Sequence, residues 1–204
     1  MVKLLTLIAL VALLSVATAR ADVLTFENDY DGFVEAAGSL SMIDFETLPD
    51  GEPSMAGVEI TDEFNYDDQG VHFSSPFRYP LISGNDNTGF RLATFEDGED
   101  TWIIASLVSP GLAVGAFFPG YTELCAFDGN GDEIACVQFS GAGDGFFVGI
   151  VSDDPIHSAT FSEGGEIEVI NSFVFTPVPE PGTIVLLASG GALTIRRRRS
   201  RGAM

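Results

Sequence analysis

Glu123-Leu124-Cys125-Ala126-Phe127-Asp128-Gly129-Asn130-Gly131-Asp132-Glu133-Ile134-Ala135-Cys136-Val137-Gln138-Phe139-Ser140 decides the fold class. Apolar and polar residues alternate on both sides of a centre made only of Asp, Gly and Asn. Period-two alternation is the pattern of a half-buried strand, and Asn-Gly tolerates the positive φ of a two-residue hairpin loop. The stretch predicts an antiparallel hairpin, with strands over Glu123–Asp128 and Glu133–Ser140. A loop at Asn130-Gly131 sets Cys125 opposite Cys136, and these are the only cysteines. Alternation outward from that loop puts the pair at a hydrogen-bonded position. There the Cα atoms stand about 5.5 Å apart and the side chains converge less, which weighs against a bridge. An oxidising compartment weighs in favour of one. No histidine or C-x-x-C lies nearby to suggest a metal or redox thiol.

The same turn carries a second reading. Asp128, Asn130 and Asp132 place oxygen ligands on alternate residues, as calcium loops do. Glu133 stands where such a loop needs glycine, and Phe139 where it needs a bidentate glutamate, so a plain turn is the simpler account. Asp44 and Glu46 form another calcium candidate, sharing one face of an expected strand ahead of the Pro49-Asp50-Gly51 turn. An exposed strand face explains them as well. The loop Gly84-Asn85-Asp86-Asn87-Thr88-Gly89 offers polar groups to a sugar or cation, though turn chemistry alone selects such residues.

Outward from the hairpin the pattern stays β. Strands are expected at Val23–Glu27, Met42–Glu46, Val58–Thr61, Gly70–Ser75, Phe90–Thr94, Trp102–Val108 and Leu112–Phe118. Three more follow at Phe146–Ser152, Ile156–Ser162 and Ile167–Thr176. Gly and Asp clusters punctuate them as a sandwich or barrel of antiparallel strands requires. Seventeen phenylalanines, mostly at alternating strand positions, suit the inner faces of packed sheets. One helix is expected over Tyr30–Ala37, capped by Asp29 and stopped by Gly38. Thr176 is expected to be the last core residue, because Pro177-Val178-Pro179 has too few amide donors for a ladder.

Both ends of the chain have a different character. Lys3, the apolar run Leu4–Val16 and Ala17-Thr18-Ala19-Arg20-Ala21 have the layout of a signal peptide, predicting removal of residues 1–21 by signal peptidase. At the other end, Pro177–Gly182 is a stiff proline linker, and residues 183–195 are apolar or small. As a helix, Ile184–Ile195 reaches about 18 Å, short of the roughly 30 Å hydrocarbon core, so it spans as a short transmembrane segment. Arg196, Arg197, Arg198, Arg199 and Arg201 form a cationic stop that holds residues 196–204 in the cytoplasm.

Val178, Pro179, Glu180 and Pro181, followed by the apolar span and the arginine cluster, resemble the PEP-CTERM sorting signal of bacterial exported proteins. The same segment is also called the ice-binding protein C-terminal domain, a label that does not make its carriers ice binders. The resemblance covers about 27 residues. It implies recognition by a membrane-embedded exosortase, removal of the tail, and delivery to the cell surface or extracellular matrix.

A second resemblance covers most of residues 30–175. It rests first on Phe33-x-x-Ala36-Ala37-Gly38, Ile43-Asp44-Phe45-Glu46, Leu48-Pro49-x-Gly51 and Gly70-Val71-x-Phe73. It continues in Phe146-Phe147-x-Gly149-Ile150-x-Ser152-Asp153-x-Pro155-Ile156, Phe161 and Asn171-Ser172-Phe173-x-Phe175. Together these are similar to secreted bacterial β-sandwich domains, jelly rolls akin to galactose- and carbohydrate-binding modules. The resemblance implies a single jelly-roll ectodomain over residues 22–176. Val169-Ile170-Asn171 departs from the Ile-Asp-Asn of such domains, so no cation or ligand role transfers there.

Charge narrows the partners. Of nine basic residues only Arg78 and Arg91 fall within 22–178, which holds 29 of the 30 acidic ones. Such a surface repels nucleic acid. No H-E-x-x-H, G-x-S-x-G or phosphate loop is present, and His72 and His157 stand apart in expected strands. The expectation is a non-enzymatic module that binds glycan or matrix polysaccharide, with calcium as the one candidate cofactor. A purely structural acidic surface protein is the alternative. A secreted hydrolase ranks third, since 29 carboxylates make some close pair inevitable.

Overall fold

The computed structural model describes residues 22–76, 78–85, 89–95, 101–141, 145–162 and 167–177. The expected signal peptide at 1–21, residues 178–182 of the expected linker, the apolar segment 183–195, the arginine-rich segment 196–204 and Asp86–Thr88 of the glycine loop lie outside the described residues. Among the described residues, no helix is long and apolar enough to cross a membrane.

The fold is an antiparallel β-sandwich built around two 17-residue strands, β6 (Trp102–Phe118) and β9 (Phe146–Ser162). Each was expected as two strands, because Ser109-Pro110-Gly111 and Asp153-Asp154-Pro155 look like turns. The structure instead makes them corners inside continuous strands. The β6–β9 register breaks between Ser106 and Gly111 and again between Gly111 and Ala113. The breaks admit prolines that donate no ladder bond. They also change the burial phase. Ile103, Ala105 and Leu107 face the core before the corner, and Val114, Ala116 and Phe118 face it after. A strand that changes phase at a bulge can belong to both layers of a sandwich.

In the first layer, β3 (Val71–Ser74) pairs with Ile104–Leu107 of β6, and β7 (Tyr121–Phe127) pairs with Ser158–Ser162 of β9 and with β8 (Glu133–Ser140). In the second layer, β1 (Val23–Glu27) pairs with Val148–Ser152 of β9. There β11 (Ser172–Pro177) lies between β6 and the short edge strand β2 (Ser41–Ile43). A separate three-stranded sheet has β5 (Gly89–Phe95) between β4 (Leu81–Asn85) and β10 (Ile167–Ile170).

Several expected boundaries move. Met42–Glu46 stops being a strand at Ile43, because Phe45 takes a left-handed conformation, φ +60°, that ends the extended run. Val58–Thr61 reduces to one bridge, Glu59 to Leu81, and that contact leads into the unanticipated β4. Ile167–Thr176 divides at Asn171, with β10 in the small sheet and β11 in the large one. The Asn171 amide, no longer in either ladder, donates to the Phe117 carbonyl at 2.7 Å. The ladder also runs one residue beyond Thr176, since Pro177 pairs with Gly111 across a register shift. Proline is tolerated there because it sits at an irregular strand end.

The helix α1 (Tyr30–Ala37) forms where its caps place it. Asp29 Oδ1 accepts the Gly32 amide at 3.0 Å, and Gly38, φ +79°, donates to the Val34 carbonyl. The helix drives Phe33 onto the outer face of the second layer, where it packs with Ala113, Phe147 and Val174. This leaves β11 buried on both faces, with Phe173 and Phe175 turned to the main core and Val174 to the helix.

Candidate functional site

The expected β7–β8 hairpin forms, with a different turn. Gly131 donates to the Asp128 carbonyl at 3.1 Å and Asp128 donates to the Asp132 carbonyl at 2.9 Å. Only Gly131, φ +83°, is left-handed. The loop therefore has three residues, Gly129-Asn130-Gly131, not two. That displaces the register by one, pairing Phe127 with Glu133. An irregularity between Ala126 and Phe127 restores it, so Cys125 still pairs with Cys136. The two shifts change the parity of the ladder. The Cα atoms of Cys125 and Cys136 lie 4.1 Å apart, the spacing of a non-hydrogen-bonded pair, and the two are joined as a disulfide. The geometric objection to a bridge applied to a two-residue loop that is not there. Glu133 lies close to both sulfurs, the one group of three ligand-type side chains found together among the described residues. With the sulfurs bonded to each other, no thiolate is offered.

Asp128 uses its carboxylate on its own turn. Oδ1 accepts the amides of Asn130 at 2.8 Å and Asp132 at 2.9 Å, and Oδ2 accepts Asn130 Nδ2 at 3.1 Å. These bonds, the Asp132 amide foremost, hold its pKa below the usual carboxylate value. Around this turn lies a cleft of about 600 Å³, lined by the hairpin tip, Val23, and Asp154, Pro155 and His157 of the β9 corner. Gly129 packs against the imidazole, where an added Cβ would lie 3.0 Å from His157 Nε2. The structure thus gathers Asp128, Asn130 and Asp132 with Asp154 and His157. Nothing in the sequence links Asp154 or His157 to the turn, because only the β9 corner brings them there.

Asp44 and Glu46 are elsewhere, in an irregular segment. Asp44 Oδ1 accepts the Glu46 amide at 3.0 Å, and Glu46 Oε1 accepts the Phe90 amide at 3.0 Å, fastening this segment to β5. Beneath them Tyr66 is buried and donates to the Thr47 carbonyl at 2.9 Å. Burial, and then the charges of Asp44 and Asp50, push its phenol well above the ordinary value. Asn65 organises this region: its amide donates to the carbonyls of Thr61 and Phe73, and its oxygen accepts the amides of Tyr66 and Phe73. His72 does not stand apart as expected, since its ring lies 3.0 Å from Asp67 and 3.7 Å from Asp62. A buried glutamate escaped the sequence reading as well: Glu168 of β10 accepts from Thr122 of β7 at 2.8 Å, linking the two sheets.

Comparison with known proteins bears chiefly on the C-terminal segment. Residues 177–200 match the family model described as the PEP-CTERM protein-sorting motif. The chain carries a PEP-CTERM sorting signal. That motif implies export, exosortase processing and sorting to the cell surface. No curated protein matches the chain. Among solved structures, a family 29 carbohydrate-binding module complexed with mannohexaose is similar at 11% identity, covering 68% of this chain and 88% of that one, with a TM-score of 0.39. The family 32 module from C. perfringens NanJ in complex with galactose shows 14% identity, coverage of 52% and 93%, and a TM-score of 0.36. The lectin domain of lectinolysin complexed with Lewis B antigen shows 7% identity, coverage of 44% and 72%, and a TM-score of 0.37. At these scores no ligand follows for this chain from any of the three.

Proposed function

We propose that this is an exported cell-surface or extracellular-matrix protein whose ectodomain, a jelly roll of the galactose-binding kind, is a non-enzymatic module for matrix polysaccharide. Signal peptidase removes residues 1–21, and exosortase acts on the C-terminal segment. The observation that carries this reading is the sorting motif at 177–200. The binding role draws on the cleft beside Asp128, whose carboxylates can accept sugar hydroxyls or hold calcium with Asn130 and Asp132. Asp44 and Glu46 are the second calcium candidates. The alternative, a structural acidic protein with no ligand, is favoured by the use of Asp29, Asp44, Asp50 and Asp128 as acceptors for nearby backbone amides. Carboxylates employed in turns need no other duty.

Two measurements test the proposal. Mass spectrometry of the surface protein is expected to show a start near Asp22 and loss of Arg196–Arg201; an intact arginine tail would leave only a plain membrane anchor. A glycan array with and without calcium is expected to give binding. Silence under both conditions overturns the module and leaves the structural alternative.

A further inference from the structure

The ladder places both ends of the folded domain at one end of the sandwich. Leu24 pairs with Val151, Val151 with Ala113, and Ala113 with Thr176, so four strands share one transverse row. β1 begins at this row and β11 finishes at it. Three inter-strand spacings separate Leu24 from Thr176, about 14 Å. Next to the row are the corners of β6 and β9 and the start of β3, whose Gly70 carbonyl accepts the Val108 amide at 2.9 Å. The tip of the β7–β8 hairpin lies here as well, since Phe127 pairs with Ser158 just beyond the β9 corner. At the opposite end lie Glu27, the β6–β7 connection and the region of Ser140, where Gly141 donates to the Gly120 carbonyl.

We infer that the corner end of the sandwich is the face turned toward the lipid surface while the chain is held there by its terminal segments. The inference rests on the proposed export and sorting route, with the apolar terminal segments inserted in the membrane before they are removed. Residues 178–183 separate Pro177, the end of β11, from the apolar run at Ile184, and residues 17–22 separate Val16 from Val23, the start of β1. Six residues reach at most about 22 Å when fully extended. β6 alone runs about 23 Å from Gly111 to Phe118, so an inverted domain would need to route a tether along its own length. Routed that way, either tether would be fully extended with no slack to turn into the bilayer, whereas the corner end down leaves both slack. That end carries Asp67, Asp68, Asp128, Asp132, Asp153 and Asp154. Opposed to anionic headgroups, these repel over about 8 Å at physiological ionic strength, so the domain stands off the bilayer. The opposite end, with the β6–β7 connection and Ser140, is then the one presented to the outside.

The test uses the full chain in phosphatidylcholine vesicles containing a headgroup-labelled acceptor lipid. A donor dye is attached at Ser109→Cys or Asp153→Cys, at the corner end, or at Ser140→Cys or Glu27→Cys, at the far end. All four positions are exposed or at exposed strand ends. Flotation with the vesicles reports insertion, and a closed Cys125–Cys136 bridge reports folding. Energy transfer is expected to be several-fold stronger from both corner positions than from both far positions. Equal transfer, or stronger transfer from the far end, in protein that floats overturns the orientation while leaving insertion intact. Failure to float overturns the insertion reading and the orientation with it.

Discussion

Truncation through β11 tests the core most directly. The chain ending at Asn171 loses Phe173, Val174 and Phe175, which are 0%, 0% and 2% exposed. Burying a large apolar side chain stabilises by about 1.5–3 kcal/mol, so the three together account for roughly 5–9 kcal/mol. Typical domains hold only about 5–15 kcal/mol in total. The loss also strips β2 of its ladder partner and opens one side of β6. Residues 22–171 are therefore expected to show no cooperative unfolding transition in urea. Residues 22–176 forgo only the pairing of Pro177 with Gly111, worth about 1 kcal/mol, and should unfold close to residues 22–182. Circular dichroism and tryptophan fluorescence report both. A cooperative transition in residues 22–171 near the parent midpoint would refute β11 as a core strand. A large gap between the chains ending at 176 and 182 would mean that the Pro-Glu-Pro segment packs on the domain.

Breaking the bridge with Cys125→Ser and Cys136→Ser should cost about 3 kcal/mol, from an 11-residue separation, and reductant should lower the parent to the same level in denaturant melts. Asp128 is depressed in the folded state, so its contribution is present above the unfolded value near 3.8 and is lost as pH falls through the lower folded one. Asp128→Ala should thus melt below the parent at neutral pH, with the gap closing in acid; a gap unchanged at low pH would remove the carboxylate from the turn. Gly111→Ala should destabilise by about 1–3 kcal/mol, since its Cβ would collide with the Thr176 carbonyl oxygen and lie 3.0 Å from Leu107 Cδ1. Thermal melts that match the parent would contradict this contact.

What could be read from the sequence was local. The Asp29 cap, the Gly38 stop and the alternation through β7 and β8 are determined by near neighbours, and the helix and hairpin formed where these signals lie. The long strands were misread because proline beside glycine or aspartate marks both a turn and a bulge, and only the partner strand decides between them. β4 was missed for a related reason: Pro80, Gly84 and Asn85 look like loop residues, and strand pairing with β5 supplies what propensity lacks. The Asp128 turn could be named as a candidate from spacing alone. Its neighbours Asp154 and His157 could not, since one acidic residue among 29 carries no mark of the corner that aims it. The disulfide was placed on the right residues by a register argument in which two one-residue errors cancelled.

The position of β11 bears on how the chain is made. It is the last of the described strands to emerge, yet it lies between β2 and β6, with Ser172 to Thr176 all buried. Until those residues clear the export channel, the second layer has a gap where a central strand belongs, and α1 has no Val174 to close upon. Completion of the native second layer therefore waits on the strand that precedes the proline segment, and any contact formed earlier leaves β2 and β6 without their shared partner.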